Sequence, residues 1–400
     1  MAFFRQGLLR LFLTLGCAVC ASPAVAQTEP GAEAAAASAS ASSPAFPASA
    51  PAQASNAVPA ATASSPLLNP AKPSARWLGV PRIRKHLVAA DMGLVINTAD
   101  PYSVAVGAYY IQKRGIPPEQ VLRVELPVQT RLSVAEFGAL YAQIRDFMGP
   151  QVQALALAWS QPFAVGCNSI TSALTLGYEP EICNKLCAPT KPSRYFNSPS
   201  TRPFTDLGLR PSMLLASRSV ESAKALIDRG VASDQQLGKR GVPIANAVFV
   251  NTKDTARNVR HVLFPPEGPM GNLGAQVQVR TVEDSTAVPR VFLYQTGLTR
   301  MHHPERIQWL PGALADHLTS YGGNLLATEG QMSVLDWLEA GATASYGTVS
   351  EPCNHLQKFP HPQALLLHYV QGATAIEAYW RSVAWPVHGV FVGEPLAAPF

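Results

Sequence analysis

Leu94-Val95-Ile96-Asn97-Thr98-Ala99-Asp100-Pro101 opens the part of the chain whose pattern decides the fold. Three apolar residues make a short strand, and the Asn/Thr/Asp/Pro run behind them stops it. Ser103 can cap the helix that follows, with Val106, Tyr109 and Tyr110 on one side, and Gly115 and Pro117-Pro118 end it. A second strand is expected over 121–126. Ser133-Val134-Ala135-Glu136 is a capping box, and Phe137, Leu140, Tyr141, Ile144 and Met148 recur on one face of the helix it opens. Residues 154–159 are then nearly continuously apolar. Strands apolar on both faces, alternating with helices, predict an α/β fold with a mostly parallel sheet flanked by helices.

Working outward, strands are expected at 213–216, 247–251, 277–282, 290–294, 343–349 and 389–392. Helices are expected from Ser219, over 311–321 with Gly322-Gly323 as a C-cap signal, from Ser333, and over 362–383. Between 166 and 211 the periodicity lapses into a Cys- and Pro-rich irregular insertion. A loop of that length in a compact domain is functional or stapled.

The chain has 400 residues, 47% of them hydrophobic, and formal net charge +5. Its first 26 residues read as a secretory signal: Arg5 and Arg10, an apolar run over 11–19, and the small-residue cleavage site Ala24-Val25-Ala26. Lipoprotein anchoring through Cys17 is the alternative, with Thr14 where an aliphatic residue is expected. Residues 27–75 are almost wholly Ala, Ser and Pro and read as a disordered tether, because they offer too little apolar area to offset ordering. The folded domain is expected over 76–400, where 28 basic and 24 acidic side chains leave net +4. That balance predicts no nucleic-acid partner, and no further apolar run is long enough for a transmembrane segment after signal removal. The expected location is the periplasm or the extracellular space.

Four cysteines remain after the signal: Cys167, Cys183, Cys187 and Cys353. An even number in an oxidising compartment predicts two disulfides. Cys167 with Cys353 is the favoured pair, since both follow expected strand ends. A zinc site at Cys183, Cys187 and Cys353 is a weaker alternative, and no cofactor is expected.

In open α/β sheets, ligands bind outside the carboxyl ends of the strands. The polar residues expected there are Asn97, Asp100, Gln161, Gln295, Thr296, Glu351, Cys353, Asn354 and Glu394. G-x-S-x-G, the phosphate loop and H-E-x-x-H are all missing. As an alternative to binding, a hydrolase would pair the Cys353 thiolate with His317, with Asp316 or Glu351 orienting the imidazole. His317 is otherwise expected to be half-buried on the helix over 311–321.

Several stretches carry a resemblance: Tyr109-Tyr110-Ile111-Gln112-Lys113-Arg114-Gly115-Ile116-Pro117, the segment 207–228, Gly341-Ala342-Thr343-Ala344-Ser345-Tyr346-Gly347, and Gly393-Glu394-Pro395-Leu396 at the end. They resemble a family of exported bacterial proteins that carries no assigned activity. More remotely, the order of elements is similar to the gingipain-type cysteine peptidases. That resemblance implies a caspase-like sheet, with a catalytic His in a His-Gly step after one strand and a Cys at the end of the next. Here the matching places read Tyr294-Gln295-Thr296-Gly297 and 324–329, with Thr296 in place of histidine and no cysteine in the second segment. The resemblance thus supports the fold and argues against that peptidase dyad. Binding of a peptide or cell-envelope ligand is the expected function.

Overall fold

The computed structural model describes residues 78–283, 285–327 and 329–400. The signal and tether expected over 1–26 and 27–75 lie outside the described residues.

Local signals set the first elements. β1 (Met92–Asn97) leads into α1 (Pro101–Arg114). The N-cap is Asp100, not Ser103: Asp100 accepts from the Tyr102 backbone N–H at 3.0 Å, and Pro101 brings the pre-set φ that suits a first helical position. Ser103 Oγ instead accepts from Asn97 N at 2.7 Å, tying the helix to the strand it leaves. β2 (Val121–Val124) and β3 (Arg131–Leu132) precede α2 (Val134–Phe147), whose capping box forms between Ser133 and Glu136. Phe137, Leu140, Ile144 and Met148 of its stripe are buried, while Tyr141 is 41% exposed. β4 (Ala154–Leu157) is wholly buried.

The insertion is less irregular than expected. β5 (Ala164–Val165) leads into it, and it contributes β6 (Asn168–Ser169), then α3 (Ile170–Leu176) and α4 (Pro203–Leu207). Two disulfides staple it, Cys167–Cys183 and Cys187–Cys353. The favoured Cys167–Cys353 pairing is corrected, because a sixteen-residue loop brings Cys183 back to Cys167 first. The zinc alternative is corrected with it, since all four sulfurs are bonded.

β7 (Ser212–Leu214), α5 (Val220–Ser233), β8 (Ala245–Val250), β9 (Gly268–Pro269), β10 (Ala275–Arg280) and β11 (Val291–Thr296) follow. Where a helix was expected over 311–321, the chain forms a strand, β12 (Trp309–His317). Leu310, Leu314, Leu318 and Tyr321 imitate helical spacing. A central strand buried on both faces has no polar alternation to betray it, so periodicity alone cannot separate the two. Gly322-Gly323, expected as its C-cap, instead lets the chain cross the backbone of Gly347: a Cβ on Gly323 would lie 2.7 Å from Gly347 O. The last elements are α6 (Val334–Ala340), β13 (Ala344–Thr348), α7 (Pro362–Val370), α8 (Ala375–Trp380) and β14 (Gly389–Gly393). The helices expected over 362–383 are two, separated at Gly372 (φ 94°), the second opened by a Thr374/Glu377 capping box.

Eleven strands form one sheet in the order β2-β1-β4-β7-β14-β13-β12-β11-β8-β10-β9, and β3-β5-β6 make a small second sheet. Pairing is parallel from β2 through to β14 and again from β13 through to β10, but β13 and β14 run antiparallel. The architecture is α/β and mostly parallel, as expected, but built of two parallel blocks of opposite sense. Alternate residues feed the two faces. Leu94 and Ile96 enter one core with Leu314, Tyr346 and α8, while Val95, Leu157 and Val392 enter another with α2 and α6. A third cluster, around Tyr294, Trp309 and Trp337, lies between β11, β12 and α6.

Candidate functional site

The opposed blocks decide which strand ends can cooperate. β11, β12 and β13 share one direction, so the residues at and beyond their carboxyl ends meet at one edge: Gln295, Thr296, Asp316, His317, Glu351, Cys353 and Asn354. Asn97, Asp100, Gln161 and Glu394 follow strands of the other block, which point the opposite way. The expectation of a single strand-end crevice is corrected accordingly.

The second group is engaged in holding the fold. Asn97 Nδ2 donates to Leu126 O at 3.0 Å while its Oδ1 accepts from Leu126 N at 2.9 Å, which locks β1 to the chain leaving β2. Asp100 is the α1 cap described above, and Gln161 sits half-buried in the turn after β4. Glu394 is fully buried, accepting from Tyr110 Oη at 2.9 Å and from Arg114 Nε at 3.0 Å.

At the other edge, a buried cation organises the strand ends. Arg260, in the turn after β8, reaches beneath them: Nη1 pairs with Asp316 Oδ1 at 2.5 Å and donates to Pro360 O at 3.2 Å, and Nη2 donates to Thr296 O at 2.9 Å. Gln295 Nε2 completes Asp316 from the neighbouring strand at 2.9 Å, in the register that sets Gln295 opposite Asp316. Burial pushes the Asp316 carboxyl above its ordinary range, against the pull of Arg260. Arg260 Nε, Gln295 Oε1 and Thr296 Oγ1 are buried without a hydrogen-bond partner among the described residues.

His317 is fully buried, not half-buried, because it ends a central strand. Trp337 Nε1 donates to its Nδ1 at 2.9 Å, so the proton sits on Nε2, which donates to Met332 O at 3.1 Å. Burial pushes the ring down to about 3, leaving it neutral with its one lone pair already engaged.

Above this layer lies a cleft of about 310 Å³ between the loop at Ala256 and Arg257, the chain leaving β12 at Leu318, Thr319 and Ser320, and the loop 351–354 after β13. Arg257 Nη1 pairs with Asp254 at 3.0 Å and its Nε donates to Thr319 Oγ1 at 3.3 Å. Glu351 Oε1 accepts from Cys353 N at 2.8 Å. Cys353 lines the cleft with its sulfur bonded to Cys187, which ties the insertion to the rim. His355 Nε2 meets Cys187 O at 2.7 Å, and the buried Lys358 donates to Leu186 O at 2.7 Å. Burial pushes Lys358 down to about 8, with Glu351 pulling the other way. The structure therefore brings Glu351, Cys353 and Asn354 to one cleft and leaves His317 and Asp316 in the layer beneath. The cleft offers a guanidinium, a carboxylate, hydroxyls and an amide, which suits a ligand with both donors and acceptors.

No protein-family model matches the chain, and no curated protein does. Among solved structures, a chain described as a protease aligns with TM-score 0.47 and 9% identity over 79% of each chain. The Arg-specific cysteine proteinase gingipain R aligns with TM-score 0.43 and 10% identity over 77% of this chain and 78% of its own. The chain is remotely similar to gingipain-type cysteine peptidases. The place matched in sequence to the gingipain cysteine, 324–329, is not at a strand end: the strand after β11 is β12, which closes at His317. That correction follows from the helix expected over 311–321, which displaced the next strand end downstream.

Sequence reasoning missed Arg257, Arg260, Trp337 and Lys358. Each is a single polar or aromatic residue in a loop or short helix, and its role comes from a partner far away in the chain. Arg260 and Asp316 are 56 positions apart.

Proposed function

We propose that this protein works outside the cytoplasm and binds an extended peptide in the cleft at the ends of β11, β12 and β13. The observation that carries this reading is the lining itself: Arg257, Ser320, Glu351 and Asn354 combine charges of both signs with neutral polar groups around about 310 Å³. A peptide main chain needs donors and acceptors at close intervals. Two features support the extracytoplasmic part of the reading: the pair of disulfides, and the apolar run with its small-residue cleavage site at the start of the chain. Among the described residues no helix is long and apolar enough to cross a membrane.

Fluorescence polarisation of a labelled mixed-sequence heptapeptide pool on the disulfide-intact chain tests the reading. Saturable binding is expected, weakened roughly tenfold in Arg257→Gln and again in Glu351→Gln, the scale of one lost charge-assisted hydrogen bond. Binding that neither substitution alters would reject the cleft as the site. Peptide cleavage by the disulfide-intact chain would replace the binding reading with a hydrolase, one that does not use the bonded Cys353 sulfur.

A further inference from the structure

A second cleft, of about 410 Å³, shares no lining residue with the first. Four segments distant in the chain build it: 83–86 before β1, 235–239 after α5, Asn272 and Leu273 before β10, and 370–372 at the end of α7, with Phe400 alongside. Its walls are pinned. Leu237 N donates to Pro399 O and Gln235 N to Ala398 O, both at 2.7 Å, while Leu87 N donates to Glu377 Oε2 at 3.1 Å. Gly238, with φ 69°, packs so closely that a Cβ there would lie 3.1 Å from the Phe400 ring.

The charged side chains of this cleft are of one sign. Arg84, Lys85 and Lys239 line it, no Asp or Glu side chain does, and among the described residues none of the three cations forms an ion pair. Unpaired cations lining one cleft repel one another, and an anion between them relieves that repulsion. A second feature points to more than a bare anion. Two lining residues, His86 and Gln371, each hold a buried side-chain atom without a hydrogen-bond partner among the described residues: His86 Nδ1 and Gln371 Oε1. An orphaned amide oxygen requires a donor, which a phosphate dianion or carboxylate cannot supply but a hydroxyl can.

We propose that this cleft binds an anionic sugar, its phosphate or carboxylate between Arg84, Lys85 and Lys239 and its hydroxyls on Gln371 Oε1 and His86 Nδ1. Isothermal titration at 0.15 M NaCl with glucose 6-phosphate, galacturonate, glucose and inorganic phosphate tests this, the salt suppressing loose surface association. One or both of the anionic sugars is expected to bind saturably, with glucose and inorganic phosphate at least tenfold weaker; which one binds separates the phosphorylated from the carboxylated source. Arg84→Gln and Lys239→Gln are each expected to weaken binding roughly tenfold. Both side chains are exposed, so the variants should keep the native melting temperature. The proposal is overturned if neither anionic sugar saturates, if inorganic phosphate binds as tightly as glucose 6-phosphate, or if the two substitutions leave binding unchanged. Peptide binding in the Arg257 and Glu351 cleft is expected to be indifferent to all of these ligands.

Discussion

Replacing Arg260 with methionine keeps most of the side-chain length and removes the cation that pairs with Asp316 beneath the strand ends. Asp316 then retains a single donor, Gln295 Nε2 at 2.9 Å, and Thr296 O keeps only Leu318 N at 3.0 Å, while Pro360 O loses its donor. Both members of the pair are at most 2% exposed, so water cannot replace the guanidinium. Removing one partner of a buried ion pair costs about 3–5 kcal/mol. With about 2 cal/mol/K of unfolding entropy per residue, that corresponds to a melting temperature lowered by roughly 5–8 °C. The sign of the pH dependence follows from the raised Asp316 carboxyl. A group whose folded pKa lies above its unfolded value contributes stability that is complete below the unfolded value, about 4, and is lost as pH rises through the folded one. Without Arg260 that folded value climbs further, so the deficit is largest near pH 7.5 and shrinks toward pH 4.5. Thermal unfolding followed by circular dichroism, with each variant compared with the native chain at the same pH, reads this directly. The double variant Arg260→Met, Asp316→Leu removes both charges and should recover at least half of the loss. A deficit below about 1 kcal/mol, or one equal at both pH values with no recovery in the double variant, would refute the claim that this pair holds the site's floor together.

Two further outcomes are expected. His317, pushed down to about 3, should show no ring titration between pH 5 and 8 by NMR. Because its folded value is depressed below the unfolded one, its contribution is complete above about pH 6.5 and is lost as pH falls toward 3, so His317→Phe should flatten the acid limb of the stability curve. A ring titrating near its unperturbed value would contradict the buried tautomer. Gly347→Ala would set a Cβ 2.6 Å from Gly322 C and Gly323 N, backbone atoms that cannot swing aside. A loss of about 1–3 kcal/mol in urea unfolding is expected, and a variant as stable as the native chain would show that the crossing of this loop over β13 is not tight.

Where a pattern was complete within a few residues, it could be read directly. The Ser133/Glu136 box capped α2 as expected, because its two reciprocal bonds join residues three apart. Asp100 rather than Ser103 caps α1, a difference of three positions that sequence alone could not choose, since both are good caps and Ser103 finds a use on Asn97. Gln295 and Thr296 were expected after a strand and lie at the end of β11, but the chemistry suggested for Asp316 and His317 assumed a helix surface. On β12 His317 lies between Trp337 and Met332, buried from solvent.

The chain's own order of apolar runs, caps and turns determined that it forms an α/β domain with a mostly parallel sheet, because strands and helices announce themselves through neighbours a few residues apart. Its even cysteine count announced two disulfides on similarly simple grounds. Only the tertiary structure decided that the sheet joins two blocks of opposite sense at β13 and β14, which separates Asn97 and Glu394 from Thr296 and Glu351. Only the fold paired Cys187 with Cys353 across 166 positions and brought Arg260 beneath Asp316. These choices depend on long-range burial and charge satisfaction, in which partners are selected by the space and solvent the whole fold leaves them.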